Sequence, residues 1–357
     1  MKYGLLVTSP VGPKKNIGDY MQSLAALQFL PELDCYIEKE DIAHFSYKEK
    51  VKAIMNAWYI WHPENWPPQE NAIDPLLTSI HITPITAEKM LADGGKEYFK
   101  SHEPIGCRDK GTVDILRSHG IDAFFSGCMT LTLGYKYEKQ YERHGVCFVD
   151  PYIPPFRFVS DDNRVYYPLN IVKAIIYLCS SPLKIAKISK KSFFKGKFLL
   201  QTLYNASMFY HSYSDMFSDH VLFNAIYKTH MVPINGEETQ EELLKQTEDL
   251  LDLYSKMNYV VTSRIHCALP CLGINTPVIF VLNQVMNSSK NIFGSPGRFG
   301  GLIDFFRVAS FRGGKILPED KVLKKISKFE INSKFENKRN CDKYKSNLID
   351  TCLNFVN

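Results

Sequence analysis

The feature of this sequence that most constrains its fold is a regular alternation of short apolar runs with segments of helical periodicity. Such alternation is typical of βαβ units, in which helices connect parallel strands and cover the faces of their sheet. In the first half, the predicted strands are residues 3–8, 51–59, 79–83, 104–107 and 121–125. The pattern therefore predicts an α/β protein with a parallel sheet.

The second half repeats this organisation with predicted strands at 145–149, 259–262 and 277–282 and a leucine-rich amphipathic helix at 237–256. The 357 residues exceed what one ordinary core contains. We therefore predict two Rossmann-like domains that face each other across a cleft. They comprise residues 1–140 and 141–322, and the boundary lies near 134–144.

Two further regions have less regular patterns. Residues 323–357 are rich in lysine and asparagine, which indicates a C-terminal helix or tail. Residues 155–215 contain a long polar and basic region in which the sequence assigns no elements.

Two helix starts carry capping signals. A helix is predicted from Asp19 to about Leu30, with Asp19 as its N-cap and Gln22 completing a capping box. A second helix is predicted over 110–119, with Asp109 as its cap and Gly120 as its stop.

Composition and motifs exclude several functional classes. The nine cysteines are scattered without a CxxC pair, so we predict no metal site, no disulfide framework and a cytoplasmic location. The apolar N-terminus is too short for a signal peptide, and no window offers the ~20 apolar residues of a membrane-spanning helix. The net charge of +5 is mild and no nucleic-acid-binding motif occurs, so no nucleic-acid partner is expected.

The basic stretch 183–197 allows two interpretations. Its six lysines alternate with Ile185, Ile188, Phe193 and Phe194. A segment of this kind can lie on an anionic membrane surface, which would place the protein at the inner face of the plasma membrane. It can equally be a solvated helix face followed by a loop.

The chemistry is expected where the predicted strands end. In open parallel sheets, ligands collect beyond the carboxyl ends of the strands, where helix N-termini offer unpaired N–H groups. Four turns at such positions carry polar residues, and we predict that they bind substrate. The predicted substrate-binding residues are Asn16, Gly18, Asp19, Gln22, Arg108, Asp109, Ser126, Gly127, Cys128, Thr130, Ser263 and Ile265.

The turn after strand 259–262 carries the predicted catalytic pair, Arg264 and His266. A guanidinium matches a phosphate or carboxylate with two parallel hydrogen bonds, and an imidazole can exchange a proton near neutral pH. The pair therefore suits an anionic substrate whose reaction needs proton transfer. Pro270 could hold this turn open by displacing the carbonyl of His266.

Purely structural roles remain open for the same residues. Arg264 could pair with a carboxylate while His266 caps the helix, and Arg108 could bridge to another element while Asp109 caps the next helix. Gly18 and Asp19 could form only a turn and a cap. No dinucleotide fingerprint, P-loop or nucleophile elbow is present.

Four motifs in the same order resemble the polysaccharide pyruvyl transferase family over residues 4 to about 305. They are Asn16-Ile17-Gly18-Asp19-Tyr20-Met21-Gln22-Ser23, Pro104-Ile105-Gly106-Cys107-Arg108-Asp109, Phe125-Ser126-Gly127-Cys128-Met129-Thr130 and Val261-Thr262-Ser263-Arg264-Ile265-His266. One departure is Asn56-Ala57-Trp58, where relatives usually have Asn-Gly-Trp. A second donor-binding arginine of the family has no clear counterpart early in the second domain.

The resemblance implies a fold like that of GT-B glycosyltransferases, with an acceptor-side first domain and a donor-side second domain. It implies transfer of a pyruvyl group from phosphoenolpyruvate to a sugar of a cell-surface polysaccharide or lipid-linked glycan, forming a ketal. No cofactor is implied, and Arg264 and His266 resemble the donor-binding and catalytic pair. Two alternatives are a GT-B glycosyltransferase that uses a nucleotide sugar and a non-catalytic glycan-binding protein.

Overall fold

A computed structural model describes residues 1–9, 13–69, 71–155, 157–159, 164–166, 168–234, 238–282 and 299–357. The fold is mixed α/β with parallel sheets, as the alternating pattern predicts.

The first half contains two parallel sheets. Its strands are β1 (Lys2–Val7), β2 (Lys14–Asn16), β3 (Cys35–Glu38), β4 (Val51–Met55), β5 (Ile73–Leu77), β6 (Ile105–Cys107) and β7 (Ala123–Phe125). Its helices are α1 (Ile17–Leu27), α2 (Pro84–Met90), α3 (Gly95–Ser101), α4 (Lys110–Ser118) and α5 (Gly134–Tyr137). Four strands form a parallel sheet in the order β3-β1-β4-β5, and β6 pairs in parallel with β7. A bridge between Ile80 and Cys107 connects the two sheets.

The second half contains a larger sheet and, outside it, a few short strands. Its strands are β8 (Val146–Val149), β9 (Arg157–Val159), β10 (Arg164–Tyr166), β11 (Ile226–Lys228), β12 (Met231–Pro233), β13 (Tyr259–Thr262), β14 (Val278–Leu282), β15 (Arg307–Arg312) and β16 (Lys315–Pro318). Its helices are α6 (Pro168–Ser180), α7 (Pro182–Ser189), α8 (Leu199–Tyr213), α9 (Asp219–Asn224), α10 (Gln240–Ser255), α11 (Ile265–Gly273) and α12 (Asp342–Val356). The sheet order is β11-β8-β13-β14-β15-β16, parallel except for β16.

One hydrophobic core connects the two halves. Met21 and Leu24 of α1 belong to the same buried cluster as Leu251 of α10 and Leu269 of α11. Strand β2 of the first half also pairs with β12 of the second. The halves are therefore joined by packing and by backbone hydrogen bonds, while the open GT-B-like cleft and the division at residue 140 stay predictions.

The C-terminal segment ends in a helix that returns to the first half. The hydroxyl of Tyr3 donates to the carbonyl of Val356 at 2.9 Å, and Lys52 Nζ donates to the carbonyl of Phe355 at 2.6 Å. Leu348 and Cys352 lie in the shared core. Helix α12 therefore fastens the end of the chain to the sheet where the chain began.

Two predicted element positions were wrong. The first helix starts at Ile17, because the side chain of Asn16 accepts from the N–H of Gly18 and serves as the cap. Asp19 lies instead in the first turn, where its charge suits the positive end of the helix. The strand predicted at 79–83 lies instead at Ile73–Leu77, where Pro75 makes the sequence look unlike a strand. Ser79 has a φ of 54°, so the extended backbone is interrupted at the start of the predicted range.

Pro270 does not open the turn before α11. The helix runs without interruption from Ile265 to Gly273 and contains Pro270 in its interior. Among the described residues, we find no helix that has both the length and the apolar character needed to cross a membrane.

Candidate functional site

A small polar pocket with a cavity volume of about 10 Å³ lies at the carboxyl end of β1. Strand β1 sits between β3 and β4. The connection from β1 to β3 and the connection from β3 to β4 therefore run in opposite directions across the sheet. Ligands of open α/β sheets bind at such a switch point. The pocket is lined by Leu6, Thr8, Asp19, Gln22, Ser23, Lys39, Asn56 and Ala57.

The polar groups of this pocket hold one another in place. Asn56 Nδ2 donates to the carbonyl of Gln22 at 2.9 Å, and Ser23 Oγ donates to the carbonyl of Leu6 at 2.7 Å. Lys39 is buried and donates to the carbonyl of Trp58 at 3.2 Å. These bonds fix the side chains before any ligand arrives.

Gln22 provides a hydrogen-bond acceptor that no described residue uses. The residue is 5% exposed, and its Oε1 atom has no hydrogen-bond partner in the described ranges. Leaving a buried polar atom unsatisfied costs about 1–3 kcal/mol. A ligand hydroxyl in the pocket would remove that cost.

Sequence reasoning identified Asp19 and Gln22 of the pocket lining but missed Lys39 and Thr8. Thr8 was assigned to the end of β1, so the rule for strand ends could have found it. Lys39 follows β3, which no clear apolar run marks in the sequence, so no local pattern points to it. Asn56 and Ala57 were noticed only through the departure from the family motif.

A second candidate region surrounds the N-terminus of α11. Arg264 occupies the N-cap position, and no side chain caps the helix. His266 lies in the first turn and is 9% exposed. An uncapped N-terminus carries a partial positive charge and offers N–H groups to an anion.

Asp150, which sequence reasoning missed, orients Arg264. It follows β8 with a φ of 42°. Its Oδ2 atom accepts from Arg264 Nε at 3.0 Å and from the backbone N–H of His230 at 3.0 Å. Ser263 Oγ donates to its carbonyl at 2.6 Å. The position directly after a buried strand is the signal that could have found Asp150.

The pairing of Arg264 with a carboxylate, one of the structural roles considered above, is therefore present. It engages Nε, whereas neither Nη atom forms a hydrogen bond to any residue in the described ranges. The side chain is 42% exposed. Asp150 thus fixes the Nε end of the guanidinium and leaves the two Nη atoms at its outer edge available to a ligand.

The pocket and the α11 turn meet at Gly18. A Cβ atom at Gly18 would lie 3.2 Å from His266 Cβ and 3.2 Å from His230 Nδ1. Because these contacts are tighter than ordinary ones, only glycine fits here without displacing a neighbour. Asp19 of the pocket is the next residue, so the two regions are adjacent through the start of α1.

A buried polar cluster supports the α11 turn from behind. His230 Nε2 lies 2.9 Å from the hydroxyl of Tyr254, and the backbone N–H of Ile17 donates to the carbonyl of His230 at 2.9 Å. Burial raises the pKa of the Cys267 thiol, but the neighbouring Cys271 and His230 side chains outweigh it and lower that pKa below its usual value. Cys267 is fully buried, so it stabilises the turn and is not an accessible nucleophile.

Arg108 and Asp109 lie after β6 in a buried charged group. Asp109 caps α4 by accepting from the N–H of Thr112 at 3.0 Å, as predicted. Burial raises its pKa, but His81 at 2.6 Å and the Arg108 guanidinium hold it below its usual value. Arg108 is fully buried, contacts Asp109 at 3.6 Å, and forms no side-chain hydrogen bond within the described part of the chain. Within those residues it does not bridge to another element.

The turn 126–130 is engaged in local contacts and does not line the pocket. Ser126 Oγ donates to the carbonyl of Cys107 at 3.0 Å. Cys128 and Thr130 are buried, with Sγ and Oγ1 3.2 Å apart. Gly127 adopts a φ of 78°, which favours glycine. The binding roles of these residues, and those of Asn16, Ser263 and Ile265, stay predictions.

No metal centre is evident in the described ranges, where no group of three or more His, Cys, Asp or Glu side chains is arranged to hold an ion.

The family model of polysaccharide pyruvyl transferases matches residues 16–284. The chain belongs to the polysaccharide pyruvyl transferase family. The matched segment includes α1, the pocket lining other than Leu6 and Thr8, and the Arg264–His266 turn, and it ends before α12. Membership implies a transferase enzyme with a polysaccharide acceptor. Comparisons with curated proteins and with solved structures found no match.

Proposed function

We propose that this pyruvyl transferase moves a pyruvyl group from phosphoenolpyruvate to a sugar of a cell-surface polysaccharide or of its lipid-linked intermediate, forming a cyclic ketal. The observation that carries the proposal is the contact, through Gly18, between a polar switch-point pocket and a helix N-terminus that presents Arg264 and His266. The first half would be the acceptor side and the second half the donor side of a GT-B-like pair.

The donor is assigned to the α11 turn. Phosphoenolpyruvate carries a phosphate and a carboxylate, and the outer edge of Arg264 suits either group. The uncapped N-terminus of α11 adds N–H groups and a favourable dipole. Asp150 holds Arg264 through Nε, so the arginine loses little freedom when the donor binds.

The acceptor is assigned to the switch-point pocket. Gln22 Oε1 can accept from one sugar hydroxyl, and Asp19 can accept from another. Lys39 at the floor of the pocket can donate to a sugar oxygen. The cavity of about 10 Å³ admits a single hydroxyl group, so the rest of the sugar would lie outside it, against the mouth of the pocket.

The reaction balances with the groups present. A proton from His266 goes to the methylene carbon of phosphoenolpyruvate, which becomes a methyl group and leaves a cation-like central carbon. One sugar hydroxyl adds to that carbon, phosphate leaves with the C–O bond electrons, and a second hydroxyl closes the ring. The two hydroxyl protons restore His266 and protonate the phosphate. His266 acts as general acid and then as general base.

A transfer assay tests this proposal. Purified protein with phosphoenolpyruvate and glycan acceptors should release phosphate and yield a pyruvylated sugar detected by mass spectrometry. His266→Ala should reduce kcat by about 10²–10⁴-fold, while the control His44→Ala, on an exposed side chain, should leave it unchanged.

A ligand panel tests the donor separately. Phosphoenolpyruvate should raise the melting temperature of the wild type but not of Arg264→Ala. Stabilisation by nucleotide sugars with none by phosphoenolpyruvate would refute the proposed donor.

We place the reaction at the cytoplasmic face of the membrane. The nine cysteines are free thiols, which supports a reducing compartment.

A further inference from the structure

Helices α6, α7 and α8 form a layer with an unusual charge balance. Residues 168–213 contain seven lysines and no aspartate or glutamate. The whole chain, by contrast, has 43 basic and 38 acidic residues. This layer therefore carries more positive charge than the net charge of the whole protein.

Three of the four apolar residues that the sequence pairs with these lysines are not available at the surface, and Phe193 is half-buried. Ile185, Ile188 and Phe194 are fully buried in the core beneath β8 and α8. The segment 183–197 is a solvated helix, α7, followed by a loop, as the second sequence interpretation has it. Leu183, at 85% exposed, is the large apolar side chain of this segment that faces solvent.

A different set of large apolar side chains is exposed. Phe198, Leu199 and Leu200 at the start of α8 are 62%, 74% and 60% exposed. Val172, Ile175 and Ile176 of α6 are each more than half exposed and share one helix face. We call these six residues the apolar patch.

The two parts of the apolar patch lie on neighbouring helices. Ala174 of α6 clusters with Tyr204 and Met208 of α8, and the Tyr177 ring stacks on His211 with centroids 3.5 Å apart. The contacts advance in the same direction along both helices. The helices are therefore parallel, and their N-terminal halves lie side by side.

Lysines flank the patch, and Lys190, Lys195 and Lys197 form no ion pair with an acidic side chain of the described residues. Lys195 and Lys197 precede Phe198 directly, and Lys190 lies exposed at the end of α7. Lys184 and Lys187, by contrast, are engaged with Asp219 at 2.9 Å and with the Phe223 ring at 4.4 Å. Lys190 and Lys195 thus remain available to anions, while Lys197 Nζ lies 5.6 Å from the ring centroid of Phe198 in the patch itself.

We propose that the apolar patch docks this protein on an anionic lipid bilayer. Phe198, Leu199 and Leu200 enter the boundary between headgroups and acyl chains, and Lys190, Lys195 and Lys197 contact headgroup phosphates. A protein partner fits less well, because lysine is depleted in protein–protein interfaces. The proposal goes beyond the transfer reaction and does not depend on it.

Co-sedimentation with vesicles tests the proposal. The wild type should bind vesicles of phosphatidylcholine mixed with phosphatidylglycerol, should bind pure phosphatidylcholine weakly, and should be released by salt. The charge reversal Lys195→Glu with Lys197→Glu should weaken binding roughly tenfold or more. Its control, Lys48→Glu with Lys50→Glu in an exposed loop of the first half, should not weaken it.

The apolar contribution has its own variant. Phe198→Ser with Leu199→Ser and Leu200→Ser should abolish vesicle binding, and Ile85→Ser, at a side chain 60% exposed on α2, should not. Equal binding by all variants would overturn the proposal. So would a wild type that ignores vesicles and self-associates through the patch, as measured by sedimentation velocity.

These measurements need no substrate. If vesicle binding fails while phosphoenolpyruvate is still consumed, the docking proposal is wrong and the proposed reaction stands. If vesicle binding is confirmed and no pyruvyl transfer occurs, the docking proposal stands and the proposed reaction is wrong.

Discussion

The role of Asp150 as a positioning residue allows a sharp test with two substitutions. Its Oδ2 atom accepts both the Nε–H of Arg264 and the backbone N–H of His230. Asp150→Asn can place an amide oxygen at the same point and keep both hydrogen bonds, and asparagine tolerates the left-handed φ of 42°. Asp150→Ala removes both bonds.

The magnitudes follow from these contacts. In Asp150→Asn only the charge interaction with a 42% exposed arginine is lost, which costs at most about 1 kcal/mol. In Asp150→Ala the buried N–H of His230 is also left unsatisfied, at about 1–3 kcal/mol, and alanine in the left-handed region costs about 1–2 kcal/mol. We expect Asp150→Ala to lose about 3 kcal/mol or more of unfolding free energy and Asp150→Asn to lose less than about 1 kcal/mol.

Activity should separate the variants further. Without its carboxylate partner, Arg264 no longer holds one orientation, and a misplacement near 1 Å costs about 100-fold in rate. We expect kcat/KM to fall about 100-fold in Asp150→Ala and less than tenfold in Asp150→Asn. Both are measured by phosphate release well below the melting temperature.

Asp320 offers a matched control. Its carboxylate also accepts from an arginine, Arg307 Nη1 at 2.9 Å, and from a backbone N–H, that of Val322 at 2.8 Å, but it lies beside β15. Asp320→Ala should therefore destabilise the fold with unchanged kcat/KM. If Asp150→Ala kept wild-type activity while folded, or if Asp150→Asn lost as much as Asp150→Ala, Asp150 would not orient Arg264.

Three further outcomes are expected. Gly18→Ala should reduce kcat/KM about tenfold or more in the transfer assay, because the new Cβ pushes on His266; unchanged kinetics would show that the contact relaxes freely. Partial burial and the Lys315 cation lower the pKa of His211 from 6.5 to about 4. Between pH 4 and 6.5 the unfolded chain therefore binds more protons than the folded chain, so the unfolding free energy rises with pH in that range. His211→Phe, which keeps a ring against Tyr177, should flatten that rise by about 1 kcal/mol after solvent screening, as urea titrations at several pH values would show; an equal slope in both proteins contradicts this. Leu348→Ala in α12 should cost about 2–5 kcal/mol in thermal or urea unfolding, whereas a dispensable tail would show no change.

Local sequence signals predicted the elements whose causes are local. Helix α4 begins where Asp109 caps it, and β8, β13 and β14 coincide with continuous apolar runs. The start of α1 was misplaced because Asn16 and Asp19 are both good caps, and the choice depends on the pairing of β2 with β12. Strand β5 was missed because it contains Pro75, which cannot donate a backbone hydrogen bond to a neighbouring strand. Pairing with β4 along the rest of its length offsets this lost hydrogen bond.

The site was predicted in part, for the same reason. Arg264, His266, Asp19 and Gln22 follow strands or start helices, so the rule for parallel sheets found them. Lys39 comes from a segment without periodicity, and Asp150 acts only through a partner more than a hundred positions later.

The sequence by itself determined the α/β class, the parallel sheets and the family, because periodicity and motif order are properties of the linear chain. Only the tertiary structure decided that Gly18 brings α1 against His266 and that Asp150 holds Arg264. It also decided that Ile185, Ile188 and Phe194 among the lysines are buried, while Phe198, Leu199 and Leu200 at the start of α8 are exposed. Such contacts depend on how helices and sheets pack against one another, and the spacing of residues along a chain does not specify that packing.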